Sequence, residues 1–365
     1  MNIALVHDWI TNVSGAERVL LIIKEIFPEA DIYTSVFKED SAKAFADFDI
    51  KTTYLQNYPV FRNKREALIP YAPVAFESLD LSGYDLVISN TTFAAKGVIT
   101  KPETAHVCYC HTPTRYLWEQ QIDSRANKGC FSGVRRRVSH KLRVWDYAAA
   151  QRPDYFLANS YTVQRRINKY YGRDSEVVYP PVNIDKFQPV KNPKADYYLF
   201  VSRLIRYKKA DLVIEAFNVL GDELRIIGAG PEEGSLRKIA KGNIKFLGKI
   251  SDEELTDQYS NARAFIFPAE EDFGIVPVEA MASGRPVIAY NRGGASETVV
   301  QGVTGELFKE QTRDEIIDAV KAFNPDKYDI EAIRNRAENF SEQKFKKNFK
   351  DSVSNFVSEH RANFS

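Results

Sequence analysis

The 365-residue chain is poor in cysteine, with only Cys108, Cys110 and Cys130. Three thiols cannot close a disulfide set, so a disulfide-stapled secreted scaffold is excluded and a reducing compartment is expected. An excess of one charge sign is also missing, because 50 Lys and Arg stand against 49 Asp and Glu, a net charge of +1. The chain as a whole is therefore no electrostatic magnet for nucleic acid. No apolar run approaches the roughly 18 residues of a spanning helix. The opening MNIALVHDWI has neither a basic leader nor a long apolar stretch, so no signal peptide is expected. Short tandem repeats and low-complexity tracts are absent. What is present is an ordinary globular composition, 44% hydrophobic and 27% charged. At this length one hydrophobic core is usually exceeded, so two domains in a cytosolic protein are expected.

Apolar, β-rich runs alternate with helical stretches in both halves. In the first half, strands are expected at Asn2–Val6, Asp31–Phe37, Asp85–Ser89, Ala105–Cys110 and Asp154–Ala158, several of them continuous apolar runs typical of buried parallel strands. Val19, Ile22, Ile23 and Ile26 give Gly15–Ile26 a helical spacing. Pro180, Pro181, Pro189 and Pro193 exclude regular helix from the stretch that follows and mark a linker. Alternation restarts with strands at Tyr197–Ser202, Leu224–Ile227, Ile244–Leu247, Ala264–Phe267 and Val287–Tyr290, separated by helices such as Ala210–Leu220 and Pro231–Ala240. Ser341–His360 reads as a charged amphipathic helix carrying Phe345, Phe349, Val353 and Phe356. Two βα arrays joined by a proline-rich hinge imply two doubly wound α/β domains facing a cleft.

Ligands of such sheets bind at the carboxyl ends of the strands, so the loops there carry the candidates. Glu271 falls on the loop after Ala264–Phe267, and Glu279, eight residues later, falls one turn into a helix that Pro277 starts and Gly284 with Pro286 end. Even on one continuous helix the two would lie ~12 Å apart along the axis, beyond the roughly 5–9.5 Å of a glycosidase acid/base pair. Two grips on one long ligand fit this spacing better. A metal held by Glu270, Glu271 and Asp272, or a merely solvated acidic loop, is the competing reading. Arg203 and Lys208 follow a strand and suit a diphosphate, against an ordinary solvated basic turn. Gly293-Gly294 and Ser14-Gly15 each precede a helix start whose N–H groups attract anions. Gly228, Gly230 and Gly234 imitate a dinucleotide fingerprint, but the spacing is wrong and Gly248 stands where an acidic residue belongs.

In the first half, His106, Cys108 and Cys110 share one strand face, a zinc-like set whose spacing matches no standard site; buried structural cysteines are the plainer reading. His111, at the strand's end before Thr112-Pro113, stands where a cleft residue should be, against a core or surface histidine. Residues 134–149 form a basic amphipathic helix candidate, with Val134, Val138, Leu142, Trp145 and Ala149 as its stripe and Arg135, Arg136, Arg137, Lys141 and Arg143 around it. It suits an anionic membrane surface, or else a partly buried helix with a solvated basic face. Nucleic acid is disfavoured because no aromatic stacking platform accompanies the basic residues.

These stretches together resemble one family. EDFGIVPVE looks like the E-x7-E motif of the retaining family 4 glycosyltransferases, and SRLIRYK is similar to their G-R-L-x3-K-G phosphate motif. The hinge, the SGAE loop and GGASETV extend the likeness over nearly the whole chain. YCHTPTRYLW with HDWI and GAERV looks most like bacterial O-antigen and capsule mannosyltransferases. The resemblance implies a GT-B fold: an acceptor-binding Rossmann-like domain over 1–182, a donor-binding one over 183–340, and a 341–365 helix returning to the first. It implies that Glu279 holds ribose hydroxyls, Glu271 a sugar hydroxyl, and Arg203 and Lys208 the diphosphate. Phe273 joins the donor set, Gly274 and Ile275 offer backbone N–H groups to the sugar, Gly15 approaches the diphosphate, and His111 sits beside the reacting sugar. The catalytic set is then His111, Glu271, Arg203 and Lys208, with no metal and no cofactor beyond the nucleotide sugar. The implied reaction moves a sugar, preferably mannose from GDP-mannose, to a lipid-linked or polysaccharide acceptor in surface polysaccharide synthesis. The enzyme would be cytoplasmic or peripheral on the inner membrane face. A UDP-hexose donor, a non-catalytic nucleotide-sugar or glycan binder, and a nicotinamide oxidoreductase are the alternatives. Ser202 and Lys209 replace motif glycines, and Ser14 replaces the first of a glycine pair.

Overall fold

The computed structural model describes residues 1–119, 132–190 and 196–364. Cys130 and Pro193 lie outside this set, as do the side chains of Val134 and Arg135. The chain divides into two compact units, one of 1–179 with 345–365 and one of 180–344.

The first unit is built on strands β1 (Ile3–His7), β2 (Asp31–Thr34), β3 (Ile50–Thr52), β4 (Leu86–Thr91), β5 (Ala105–Cys110), β6 (Tyr155–Ala158) and β7 (Glu176–Val177). All neighbours are parallel, in the order β3-β2-β1-β4-β5-β6-β7. The second unit repeats the scheme with β8 (Tyr197–Val201), β9 (Glu223–Ile227), β10 (Ile244–Gly248), β11 (Ala264–Phe267), β12 (Val287–Tyr290) and β13 (Gly305–Phe308), ordered β10-β9-β8-β11-β12-β13. Each sheet is doubly wound, and the winding reverses at its middle, between β1 and β4 in one and between β8 and β11 in the other.

The expected strands are all present, three of them with both ends as expected and the rest shifted by at most three residues. β3, β7 and β13 were not legible. All three are edge strands; β3 and β7 have only three and two residues, β3 is half-buried throughout and β13 is buried only at its ends, so the continuous apolar run that betrays a central strand is missing. β4 and β5, at the centre, are buried at every position.

Side-chain alternation gives the first sheet two packed faces. Leu5, Ile88, Val107 and Tyr109 meet Val19, Leu20 and Ile23 of the Gly15–Ile26 helix, and also Phe345, Phe349, Val353 and Val357. The last four lie on the Glu342–Ala362 helix, which therefore completes the first unit's core. Ala4, Val6 and Val87 point the other way, onto Phe93, Leu142 and the partly buried Trp145. In the second unit, Phe200, Ile226 and Ile266 pack on Val213, Ile214 and Phe217 of the Ala210–Leu220 helix.

Phe349 is fully buried against Tyr109 and Phe345. Phe349→Ala should destabilise the first unit by about 3–5 kcal/mol. All three tryptophans, Trp9, Trp118 and Trp145, lie in that unit, so urea unfolding followed by tryptophan fluorescence reads the loss directly.

Candidate functional site

The second unit gathers its candidate residues at its switch point. Arg203 and Lys208 follow β8, and Glu271 follows β11, the adjacent strand. A one-turn 3-10 helix over Arg206–Lys208 swings Lys208 back, and its ammonium donates to the Glu271 carboxylate in a mostly buried ion pair. Sequence reading gave these two side chains separate tasks; the structure pairs them. Arg203 is exposed at the strand's end. Glu279 is the fifth residue of the Ile275–Ala282 helix, and its Oε2 accepts from the Tyr259 hydroxyl at 3.0 Å. Burial, with the Glu279 charge beside it, holds that phenol well above its ordinary pKa, so it remains a donor. Gly274 caps the helix at φ +81°, a left-handed backbone that favours glycine. Pro277 occupies the first turn, where no N–H is required. Phe273 is 3% exposed with its ring edge-on to Phe340, so its side chain serves the core.

The glycine-rich stretches owe their glycines to backbone contact. A Cβ on Gly293 would lie 2.2 Å from the Glu271 carbonyl oxygen, and one on Gly294 2.0 Å from that of Phe273. Gly294 N–H also donates to the Glu271 carbonyl at 2.8 Å. The pair clamps the loop that carries Glu271, and the helix after it is a single turn, Ala295–Thr298. Gly228 and Gly230 behave alike: a Cβ there would strike the carbonyl oxygens of Ser202 and Leu204 at 1.9 and 2.2 Å. The imitation of a dinucleotide fingerprint is thus a latch on the loop that bears Arg203.

In the first unit His7, Asn90 and Tyr109 sit side by side in neighbouring strands, and His111 follows one residue beyond β5. His111 is 9% exposed, with Nε2 2.6 Å from Asn90 Oδ1 and its ring edge-on to Tyr109. Tyr109 donates its hydroxyl to the Val178 carbonyl at 3.0 Å. Buried beneath lies a pair that sequence reading missed: His7 Nε2 is 3.7 Å from Glu17 Oε1. Burial alone would lower the His7 pKa, but the contact and charge of Glu17, with Asp8 and the Asn90 carbonyl, raise it. Burial likewise opposes ionisation of Glu17, yet His7 and Ser14 outweigh it and bring the carboxyl to about 2. Ser14 donates both its N–H and its hydroxyl to Glu17. The Ser14-Gly15 turn is therefore already supplied with an internal anion, which limits its contribution toward a ligand to backbone at Gly15. Asp8, also missed, accepts from the consecutive backbone N–H groups of Thr92 to Ala95 and shapes the loop after β4. The signal for these residues was polar side chains ending apolar strands, as in VHD and ISNT.

The loop after His111 is anchored by Asp146 of the Ser132–Ala149 helix. Asp146 accepts from Lys96, Thr114, Trp118 and Tyr171 at 2.6–2.9 Å. The helix matches the expected one, and Leu142 and Ala149 are buried. Val138, expected in the apolar stripe, is instead 36% exposed, and Arg143 donates to the Leu117 carbonyl at 2.9 Å instead of joining a basic face. Arg136, Arg137 and Lys141 are exposed, beside the exposed Val144 and Tyr147. His106 bonds Ser89 at 2.9 Å, and burial brings its pKa to about 3. Cys108 and Cys110 are buried and packed in the core with Phe156 and Ile167. Among the described residues no group of three His, Cys, Asp or Glu is arranged to hold a metal, and no helix is long and apolar enough to cross a membrane.

Two family descriptions match in tandem: "Glycosyltransferase Family 4" over residues 13–186 and "Glycosyl transferases group 1" over 182–347. The chain belongs to the family 4 glycosyltransferases. It is 32% identical over 195 residues to a GDP-mannose-dependent alpha-(1-6)-phosphatidylinositol monomannoside mannosyltransferase of Mycobacterium tuberculosis, covering 45% of this chain and 50% of that protein. The chain thus matches about half the length of that relative. Alpha-1,3/1,6-mannosyltransferase ALG2 of Dictyostelium discoideum is 25% identical over 86% of this chain and 87% of its own. The solved structure of Anabaena Alr3699/HepE in complex with UDP is 19% identical, covers 97% of this chain and 100% of its own, and superposes with a TM-score of 0.69. That likeness establishes the GT-B fold.

Within this family 4 glycosyltransferase, Lys209 is the one non-glycine among the described residues at positive φ, 59°, where the family motif has glycine. Left-handed backbone costs a residue with a Cβ about 1 kcal/mol or more. Lys209→Gly should therefore raise stability, read as a higher Tm by circular dichroism.

The His7–Glu17 pair makes a second prediction. Glu17's contribution is present above its ordinary value of 4.5 and is lost as pH falls toward about 2. His7's contribution is present below 6.5 and is lost as pH rises through its raised folded value. The Tm difference between wild type and Glu17→Gln should peak between pH 4.5 and 6.5 and shrink on both sides. A difference independent of pH would refute the pairing.

Proposed function

We propose that this protein is a retaining hexosyltransferase that moves mannose from GDP-mannose to a lipid-linked or polysaccharide acceptor, without a metal ion. The observation that carries the reading is the Lys208–Glu271 pair at the switch point of the second sheet. A sugar–diphosphate bond breaks with negative charge growing on the departing diphosphate and positive charge on the sugar ring. Preorganised charges of both signs stabilise that separation best. In the second unit, Lys208 and Arg203 take the diphosphate, Glu271 a sugar hydroxyl, and Glu279, oriented by Tyr259, the ribose. The helix start at Gly274 and Ile275 offers N–H groups to the sugar. The first unit takes the acceptor and contributes His111. Mannose is favoured by the activities of the mycobacterial and Dictyostelium relatives, and GDP-mannose with a lipid-borne acceptor by that of the mycobacterial one.

Purified protein should release GDP from GDP-mannose in preference to UDP from UDP-hexoses, and faster with acceptor present. Lys208→Ala and Glu271→Ala should each cut transfer roughly 10²–10³-fold, the scale for removing one preorganised charge or donor. Transfer near the wild-type rate by both variants would refute the donor assignment. Donor binding with no nucleotide released under any acceptor would favour the non-catalytic binder.

We infer further that the Ser132–Ala149 helix docks the protein on an anionic membrane surface. Exposed Arg136, Arg137 and Lys141 lie near exposed Val138, Val144 and Tyr147, a mixture suited to lipid headgroups. Wild-type protein should sediment with phosphatidylglycerol-containing vesicles at low salt and be released at high salt, and a triple Glu replacement of the three cations should abolish binding. Failure of the wild type to sediment at low salt rules this surface out.

A further inference from the structure

The His111 ring is placed by a residue that neither motif nor strand pattern singled out. Asn90, on the adjacent β4, directs its side-chain amide two ways: Oδ1 lies 2.6 Å from His111 Nε2, and Nδ2 lies 2.9 Å from the Ala16 carbonyl oxygen. A carbonyl oxygen only accepts, so the amide nitrogen faces Ala16, and this fixes which end of the amide meets the histidine. Oδ1 also only accepts. His111 therefore carries a proton on Nε2, and whenever the ring is neutral Nδ1 is the nitrogen without one.

The backbone of Asn90 is tied as firmly as its side chain. Its carbonyl oxygen lies 2.7 Å from His7 Nδ1. Nδ2 also passes 3.0 Å from that nitrogen, which can donate to the carbonyl or accept from the amide, but not both. The raised pKa of His7 beside Glu17 selects donation to the carbonyl. Asn90 thus joins the end of β1, through its carbonyl, to the first turn of the Gly15–Ile26 helix and the residue after β5, through its side chain.

We propose that Asn90 is a positioning residue for the transfer reaction: it sets the His111 tautomer and ties that ring to the Ser14–Ala16 turn. The proposal rests on the reading of His111 as a catalytic group. Asn90 itself need touch no substrate. Its removal would leave His111 without the acceptor that holds the ring proton on Nε2.

The test uses full-length protein labelled with ¹⁵N in its five histidines, with His111 assigned by its disappearance in His111→Ala. Wild type should show a protonated Nε2 and an unprotonated Nδ1; a proton on Nδ1 overturns the assignment. Asn90→Ala should give averaged ring shifts and lower kcat roughly 10²-fold, the lower end of what a positioned acid or base contributes, with KM for GDP-mannose little changed. Asn90→Asp keeps an acceptor facing Nε2 but loses the donor to the Ala16 carbonyl, so it should restore the Nε2 proton and only part of the lost kcat. Unchanged tautomer and kcat in a folded Asn90→Ala overturns the proposal. Wild-type transfer by His111→Ala instead overturns the catalytic reading beneath it, an outcome separable because the tautomer is read independently of activity.

Discussion

Both units depend on one constraint, the reversal of winding direction in an all-parallel sheet. When consecutive crossovers leave the first strand in opposite directions, the connections from the two central strands diverge, and no backbone closes over the space between them. β1 and β4 in one unit, and β8 and β11 in the other, are these strands. At or just beyond their carboxyl ends stand the polar residues considered above: His7, Asp8 and Asn90 in the first, Arg203, Lys208 and Glu271 in the second. Buried polar side chains are tolerated there because they find partners nearby. Lys208 meets Glu271, His7 meets Glu17, and Asp8 meets a run of backbone N–H groups. Elsewhere along the same strands burial is nearly complete and apolar.

The legible part of the fold was the part with strong periodicity. Gly15–Ile26 and Ala210–Leu220 begin and end where their spacing predicts, because a capping serine or a closing glycine punctuates an apolar stripe. Asn90 was lost for the opposite reason: the apolar run of β4 stops before the strand does, so the expected strand ended at Ser89. Residues with motif spacing, such as Glu271 and Lys208, were found singly, but that they touch was not legible, since 63 residues separate them. Asp146 was hidden differently. It lies in a helix whose many cations drew notice to its surface, while its own partners come from three other segments.

Glycine was the residue most open to misreading. Four of the glycines considered as ligand cradles or fingerprints, at 228, 230, 293 and 294, leave no room for a Cβ against a neighbouring loop's backbone. They work by close approach, Gly228 and Gly230 against the Arg203 loop and Gly293 and Gly294 against the Glu271 loop. Lys209 shows the converse case, a side chain accepted where the backbone geometry asks for none. One glycine signature can thus serve packing, and one missing glycine can mark strain, and only the surrounding backbone separates the two.

The Glu342–Ala362 helix places Phe345 and Phe349 around Tyr109, whose ring lies edge-on to His111. The first unit is therefore discontinuous in the chain, and its core stays open on one side until the helix arrives. Domains ordinarily fold in the order of their synthesis. Here the unit that is translated first is the one that must be finished last, after all of 180–344 has left the ribosome. A nascent chain already long enough to form the second unit still lacks the aromatic wall behind His111, so the histidine reaches its working environment only when the helix has docked.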